Sequence, residues 1–169
     1  MDFGFGSFFN FPPTPVIPLT CGNFFDTTTQ TAVANTPTPF LCDGIDIQSN
    51  IGFDPTTGTI SINDYGVYNL QFSAQIVRVP GTGGAQHNDI WVRKNGVDIA
   101  HTDRRTQVNT TSDPQVVSWN FLLELYPGDN VQLMYAVTNS DIRFRYSPPD
   151  LIIPNPEIPS VIISIYKVA

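Results

Sequence analysis

Nucleophilic hydrolysis needs a Ser, Cys or Thr beside a base and an orienting acid. The only side chains here with a base near neutral pH are His87 and His101, each in a loop or at a strand end, and the chain has no Gly-x-Ser-x-Gly elbow. Both read as surface residues. Structural zinc needs closely spaced soft ligands, and Cys21, Cys42, His87 and His101 show none of the usual spacings. Calcium asks for about six oxygens or more. Asp43 and Asp46 share one loop while Asp103, Asp113 and Asp141 lie in others, with no EF-hand-like run to join them. These aspartates read as turn formers and solvated charges, and no cofactor is expected. Gly81-Thr82-Gly83-Gly84 resembles a phosphate loop in its glycines alone, since no Lys follows and no helix begins. The two cysteines either pair or stand as buried thiols, and without an export signal the thiol reading is preferred. An enzyme is the least supported class.

The remaining chemistry is that of recognition. Trp91 lies beside Arg93 on the strand face opposite Ile90 and Val92, where it is either a sugar platform or a covered side chain at a second layer or subunit contact. Arg104 and Arg105 are expected to line one side of the domain with Arg143 and Arg145, as a solvated edge or as salt bridges between subunits. Residues 1–22 differ from everything after them: Phe3, Phe5, Phe8, Phe9 and Phe11 alternate with Gly, Ser and Asn before Pro12, Pro13, Pro15 and Pro18. Gly and Pro exclude a stable helix there, and so many exposed aromatics invite aggregation unless they dock. The reading is an extended arm, 1–22, anchored by its phenylalanines on a neighbouring subunit or another protein; folding back on its own domain is the alternative.

Charge narrows the partners. None of the eight Lys and Arg residues precedes Arg78, and the formal net charge is −7. Clustered positive charge for a nucleic-acid backbone or an anionic membrane is missing. No run approaches a membrane span, and Asp2, the glycines and the four prolines make the apolar N-terminus a poor signal peptide. With 41% hydrophobic residues there is material for one core.

The elements that must position these residues are strands. Ile60 and Ile62, then Tyr68, Leu70, Phe72, Ala74 and Ile76, alternate with uncharged polar residues, which places apolar side chains on one strand face and amides and hydroxyls on the other. Val117, Trp119, Phe121, Leu123 and Leu125 form the longest run of this kind, and Val131, Leu133, Tyr135 and Val137 another. Tyr68, Leu70, Phe72, Trp119, Phe121 and Leu123 are therefore predicted core. Asn95-Gly96 is the strongest hairpin signal. Leu151-Ile152-Ile153, between prolines, is too apolar for a free loop and is expected to be buried against the domain or a partner. No amphipathic helix is found. The pattern predicts an all-β jelly-roll sandwich of about 8–10 antiparallel strands over 23–169, carrying the extended arm.

Ile60-x-Ile62, Gly66-x-Tyr68-x-Leu70-x-Phe72, the strand ending at Asn95-Gly96, Leu125-x-x-Gly128-Asp129-x-Val131-x-Leu133 and the closing Ser160–Tyr166 run resemble, in order and spacing, the complement-type globular head and tumour-necrosis-factor superfamily. The resemblance covers about Phe24 to Val168 and implies a ten-strand jelly roll assembling as a homotrimer. Outward Val67, Asn69 and Gln71, with Arg143 and Arg145, are the expected subunit contacts. Two departures matter: the closing strand lacks the aromatic-small pattern of secreted animal members, and the arm stands where a collagen-like stalk would be. Heads with such arms resemble the decorations, spikes and fibre tips of phages and large DNA viruses. The expected function is a non-enzymatic virion structural protein, a trimer anchored by its arm to capsid or fibre proteins. The alternatives are a head that binds a host glycan or receptor through Trp91, and a single-jelly-roll vertex or minor capsid protein.

Overall fold

The computed structural model describes residues 19–79, 86–108 and 113–169. The arm anchors Phe3, Phe5, Phe8, Phe9 and Phe11, and the Gly81–Gly84 loop, lie outside these residues. Within them the chain forms strands β1 (Cys21–Asp26), β2 (Gln30–Thr31), β3 (Thr38–Pro39), β4 (Gly44–Ser49), β5 (Ile51–Asp54), β6 (Thr59–Ile62), β7 (Gly66–Arg78), β8 (His87–Lys94), β9 (Val97–Asp98), β10 (Arg104–Gln107), β11 (Gln115–Leu125), β12 (Asn130–Val137), β13 (Ile142–Phe144) and β14 (Val161–Lys167). No helix occurs among the described residues. Strand β1 begins at Cys21, two residues inside the range read as arm.

The strands make two antiparallel sheets packed as a sandwich. Sheet one runs β2-β13-β7-β14-β1-β4, with β11 on the other side of β7; sheet two runs β10-β8-β12-β6-β5, with β3 beside β12 and β9 beside β8. Strand β7 organises sheet one, because its 13 residues pair with β11 along one edge and with β14 and then β13 along the other. Its alternation sends Tyr68, Leu70, Phe72, Ala74 and Ile76 into the core, each 5% exposed or less. Phe121 and Leu123 of β11 and the odd-numbered residues Val131 to Val137 of β12 are buried with them. At one end of the core Phe40, Tyr135 and Phe144 meet with ring centroids 4.5–4.8 Å apart. Burial pushes the Tyr135 phenol up to about 12, and the nearby Asp26 adds to the shift.

Turns are set by short polar side chains. Asp54 accepts hydrogen bonds from the Thr56 and Thr57 hydroxyls and the Thr56 N–H, which holds its carboxyl below the usual range. Asn95 and Gly96, both at positive φ (52° and 79°), close the β8–β9 hairpin with the backbone twist such a two-residue loop requires. Asp129 joins that hairpin to the β11–β12 turn: it accepts from Lys94 Nζ at 2.8 Å, Asn95 Nδ2 at 2.7 Å and the Tyr126 N–H at 2.9 Å. Burial alone would raise its carboxyl, but these donors outweigh it and hold the group low.

One expectation about the core is corrected and another is narrowed. Trp119 is 49% exposed. It points inward, opposite Phe72, but β11 is the edge of sheet one, where the Arg104 guanidinium lies 4.6 Å from the ring centroid. Leu151, Ile152 and Ile153 are not buried against the domain; they are 96%, 91% and 68% exposed, on a loop closed by the Asp150–Asn155 bridge.

Candidate functional site

The alternation that builds the core also builds a surface. Val67, Asn69, Gln71, Ser73 and Gln75 of β7 face away from sheet two. Antiparallel register carries this face sideways: Leu122, Asn120, Ser118 and Val116 of β11 stand opposite Asn69, Gln71, Ser73 and Gln75. On the other side Tyr166, Ser164 and Ile162 of β14 stand opposite Asn69, Gln71 and Ser73, and Asn23 and Phe25 of β1 stand opposite Ser164 and Ile162. These rows contain no charged residue.

The amides and hydroxyls of this face are largely satisfied by one another. Asn69 Nδ2 donates to the Tyr166 hydroxyl at 2.8 Å, Asn120 Nδ2 to Asn69 Oδ1 at 3.3 Å, and the Ser164 hydroxyl to Asn23 Oδ1 at 2.6 Å. Charge appears at the margins. Glu124 is held by the Tyr65 hydroxyl, and Asp46 accepts from Asn23 Nδ2. Within the β11 row Leu122 (68% exposed) and Val116 (60%) stand in solvent, beside a shallow cleft of about 340 Å³ lined by Asn69, Gln71, Phe72, Ser118, Trp119 and Asn120. A protein surface laid over this face removes apolar area from water without stranding a charge.

Sheet two presents a different site. Trp91 is half-buried on its outer face, where its Nε1 donates to Asp98 Oδ1 at 2.7 Å. Arg93 Nε donates to the same oxygen at 2.7 Å, and this bond, with that of the indole, keeps the Asp98 carboxyl low against the upward pull of burial. Asp89, held by two bonds from Arg105, joins Trp91, Asp98, His101 and Asp103 around an open cleft of about 390 Å³. Asp103 is raised, first by burial and then by the Asp89 charge.

The globular domain of zebrafish complement 1qA protein superposes with a TM-score of 0.57 at 16% identity, over 89% of this chain and 98% of that one. Eiger TNF from S. frugiperda gives 0.59 at 12% identity, over 90% of this chain and 94% of that one. Murine APRIL gives 0.55 at 9% identity, over 89% and 99%. The fold is their jelly roll. No protein-family model matches the sequence, and no characterised protein matches it by sequence.

Other candidate residues do not converge. Arg104 and Arg105 are on β10 of sheet two, whereas Arg143 and Arg145 are on and just beyond β13 of sheet one, so the four do not line one side as expected. Both cysteines are free; Cys42 is buried, which pushes its thiol far up, and Cys21 is half-buried. Among the described residues the rings of His87 and His101 have no Ser, Thr or Cys hydrogen-bond partner, and no three His, Cys, Asp or Glu side chains are grouped to hold a metal. Leu122 and Tyr166 are interface candidates that the strand pattern did not single out. The signal was legible for Leu122, since Phe121-Leu122-Leu123 places an apolar side chain at an outward position.

Proposed function

We propose that this protein is a non-enzymatic, self-associating head that forms a homotrimer through the outer face of sheet one. The uncharged rows from Leu122 across Asn69 and Gln71 to Asn23 carry this reading, because in a chain of net charge −7 they can meet a twin without setting like charges against each other. The jelly-roll likeness supports three copies. The arm-plus-head layout of the sequence supports placement on a virion, with the phenylalanines of residues 1–18 as anchor and the head outward. The arrays of Ser, Asn and Gln on this face offer no acid–base pair, in keeping with a structural role.

Light scattering of the purified protein is expected to give the mass of three chains, and a chain lacking residues 1–18 the same mass without incorporation into particles. A monomer or a pentamer overturns the assembly reading, the pentamer favouring a vertex protein. Loss of fold on removing the arm makes the arm part of the domain.

A second reading, attachment to a host glycan, is favoured by the Trp91 cleft, where an aromatic face lies among carboxylates able to accept sugar hydroxyl bonds. On a glycan array the intact protein would then show ligands that Trp91→Ala loses. An intact protein that binds none disposes of this reading.

A further inference from the structure

We propose that the proline-rich stretch 12–18 docks on an exposed pair of aromatic rings of its own chain, Tyr65 and Tyr126, with Pro15 against the rings. Tyr65 is 53% exposed and Tyr126 49%, and their ring centroids lie 4.9 Å apart with 40° between the planes. The pair is fixed in place. The Tyr65 hydroxyl donates to Glu124 Oε1 at 2.9 Å and the Tyr126 N–H to Asp129 Oδ2 at 2.9 Å. Lys94 Nζ stands 5.6 Å from the Tyr126 centroid. Two aromatic faces held side by side in solvent form a bed for an apolar partner.

Reach and proline spacing identify the occupant. Thr20 is only 4% exposed; its hydroxyl donates to Asp64 Oδ2 at 3.4 Å, and its carbonyl accepts from the Lys167 N–H at 3.0 Å. Asp64 directly precedes Tyr65, so the chain ahead of Leu19 leaves beside the corner that carries the pair. In sheet one β14 separates β1 from β7, and β11 lies on the far side of β7. Tyr126, which follows β11, is therefore three strand spacings from β1, about 14 Å. A polyproline II segment rises about 3.1 Å per residue, and Pro15, five residues before Thr20, is about 15 Å away along it. The two lengths agree. Three residues per turn place Pro12, Pro15 and Pro18 on one edge of that segment. Pro15 then meets the rings, with Pro12 one turn beyond and Pro18 one turn short.

The chemistry of the bed suits such a segment. Proline stretches are stiff before they bind, so docking on aromatic rings orders little chain. Residues 12–18 carry no charge to bury. Their carbonyls are unbonded within a polyproline II helix. Lys94 gives bonds to Asp129 and to the Glu124 carbonyl, which leaves a third N–H for one of them. Docked in this way, the arm sends its phenylalanines out from the β11 edge of the head. The inference does not rest on the trimer reading, since bed and occupant belong to one chain.

Nuclear magnetic resonance of the full chain, isotope-labelled at proline, tests it. Pro15 ring protons are expected upfield, under the ring currents of the pair, with cross-relaxation to the Tyr65 and Tyr126 ring protons. Both signals should be lost in Tyr65→Leu/Tyr126→Leu and kept in Tyr65→Phe/Tyr126→Phe, which removes only the hydroxyls. Both side chains are exposed, so circular dichroism of these variants should match the wild type. Pro15→Ala gives a second arm that leaves the head untouched: the Tyr65 and Tyr126 ring signals should move while those of buried Tyr68 and Tyr135 do not. Pro15 signals at free-peptide positions in the wild type, or shifts that survive loss of both rings, overturn the proposal. So does loss of the shift when labelled wild-type chains are assembled with excess unlabelled leucine variant, since the prolines then lie on a neighbour's rings.

Discussion

Gly58→Ala should lower the unfolding free energy by about 3 kcal/mol, against about 1 kcal/mol for Gly96→Ala, the difference being a steric term added to a common backbone cost. Both glycines hold left-handed φ, +65° and +79°. At Gly96 an added Cβ would meet nothing within 4 Å, so alanine there pays the left-handed penalty alone. At Gly58 the same carbon would lie 2.1 Å from the Phe40 carbonyl oxygen. That oxygen cannot rotate away, because the Phe40 N–H is bound to the Leu133 carbonyl and the Phe40 ring is locked against Tyr135 and Phe144. Relief must come from the Asp54–Gly58 turn, whose 2.9 Å bond from Gly58 N–H to Asp54 O would be stretched. In thermal unfolding the gap corresponds to a midpoint lower by about 4–8 °C for Gly58→Ala than for Gly96→Ala, at about 2–4 °C per kcal/mol for a chain of this size. Equal midpoints would show that the turn yields without cost and that the Phe40 contact does not constrain it.

That contact joins residues far apart in sequence, and it marks where sequence reading stops. The strands of the sandwich were legible because alternation is a local property: the period over Tyr68 to Ile76 belongs to β7 whatever packs on it. The jelly roll was legible because several such runs occur in a characteristic order, and the superposed structures share that fold at 9–16% identity. Trp119 was misplaced because alternation gives the side of a strand and not what covers that side. It lies on the inner side as Phe121 and Leu123 do, yet only they lie under sheet two. For Leu151 to Ile153 the domain supplies no cover, and hydrophobicity, which argues for cover, does not say whether the domain or a partner provides it.

The candidate sites were legible one strand at a time. Val67, Asn69 and Gln71 were readable as an outward polar stripe of β7, but the face they belong to needs the register that sets Leu122, Tyr166 and Asn23 beside them. Pairing between distant strands is beyond such reading altogether. Val77 and Arg143 are far apart in sequence and pair because β13 meets the last residues of β7, continuing the edge that β14 leaves. Which cations stay unpaired is likewise a three-dimensional fact: Arg105 and Arg143 look alike in sequence until Asp89 is found beside the first.

Gln71→Glu is expected to convert the proposed trimer to monomer at neutral pH while leaving the fold of each chain intact. The substitution keeps the size of the side chain and adds one charge at the centre of the uncharged rows, between Asn120 and Ser164. Gln71 is exposed in the single chain, so a carboxylate there is solvated and costs about 0.5 kcal/mol or less. Under a second subunit the same carboxylate meets amides and hydroxyls already bound to one another, with no cation in the rows to pair with it. An uncompensated buried charge costs about 3–5 kcal/mol, and in a closed ring every contact bears it, each losing about two to four decades in association constant. Val97→Glu, at the 70%-exposed tip of the β8–β9 hairpin, adds the same charge away from this face and should leave the mass unchanged. Protonation supplies an internal check. Burial disfavours the charged form, so assembly holds the introduced carboxyl above the free glutamate value of about 4.3. The variant should therefore reassemble as pH falls toward that value, where the wild type shows no such step. Sedimentation against pH reads both arms at once. A Gln71→Glu protein that keeps its mass at neutral pH would move the subunit contact off sheet one, most directly to the β10–β11 edge, where Trp119 stands half exposed under Arg104.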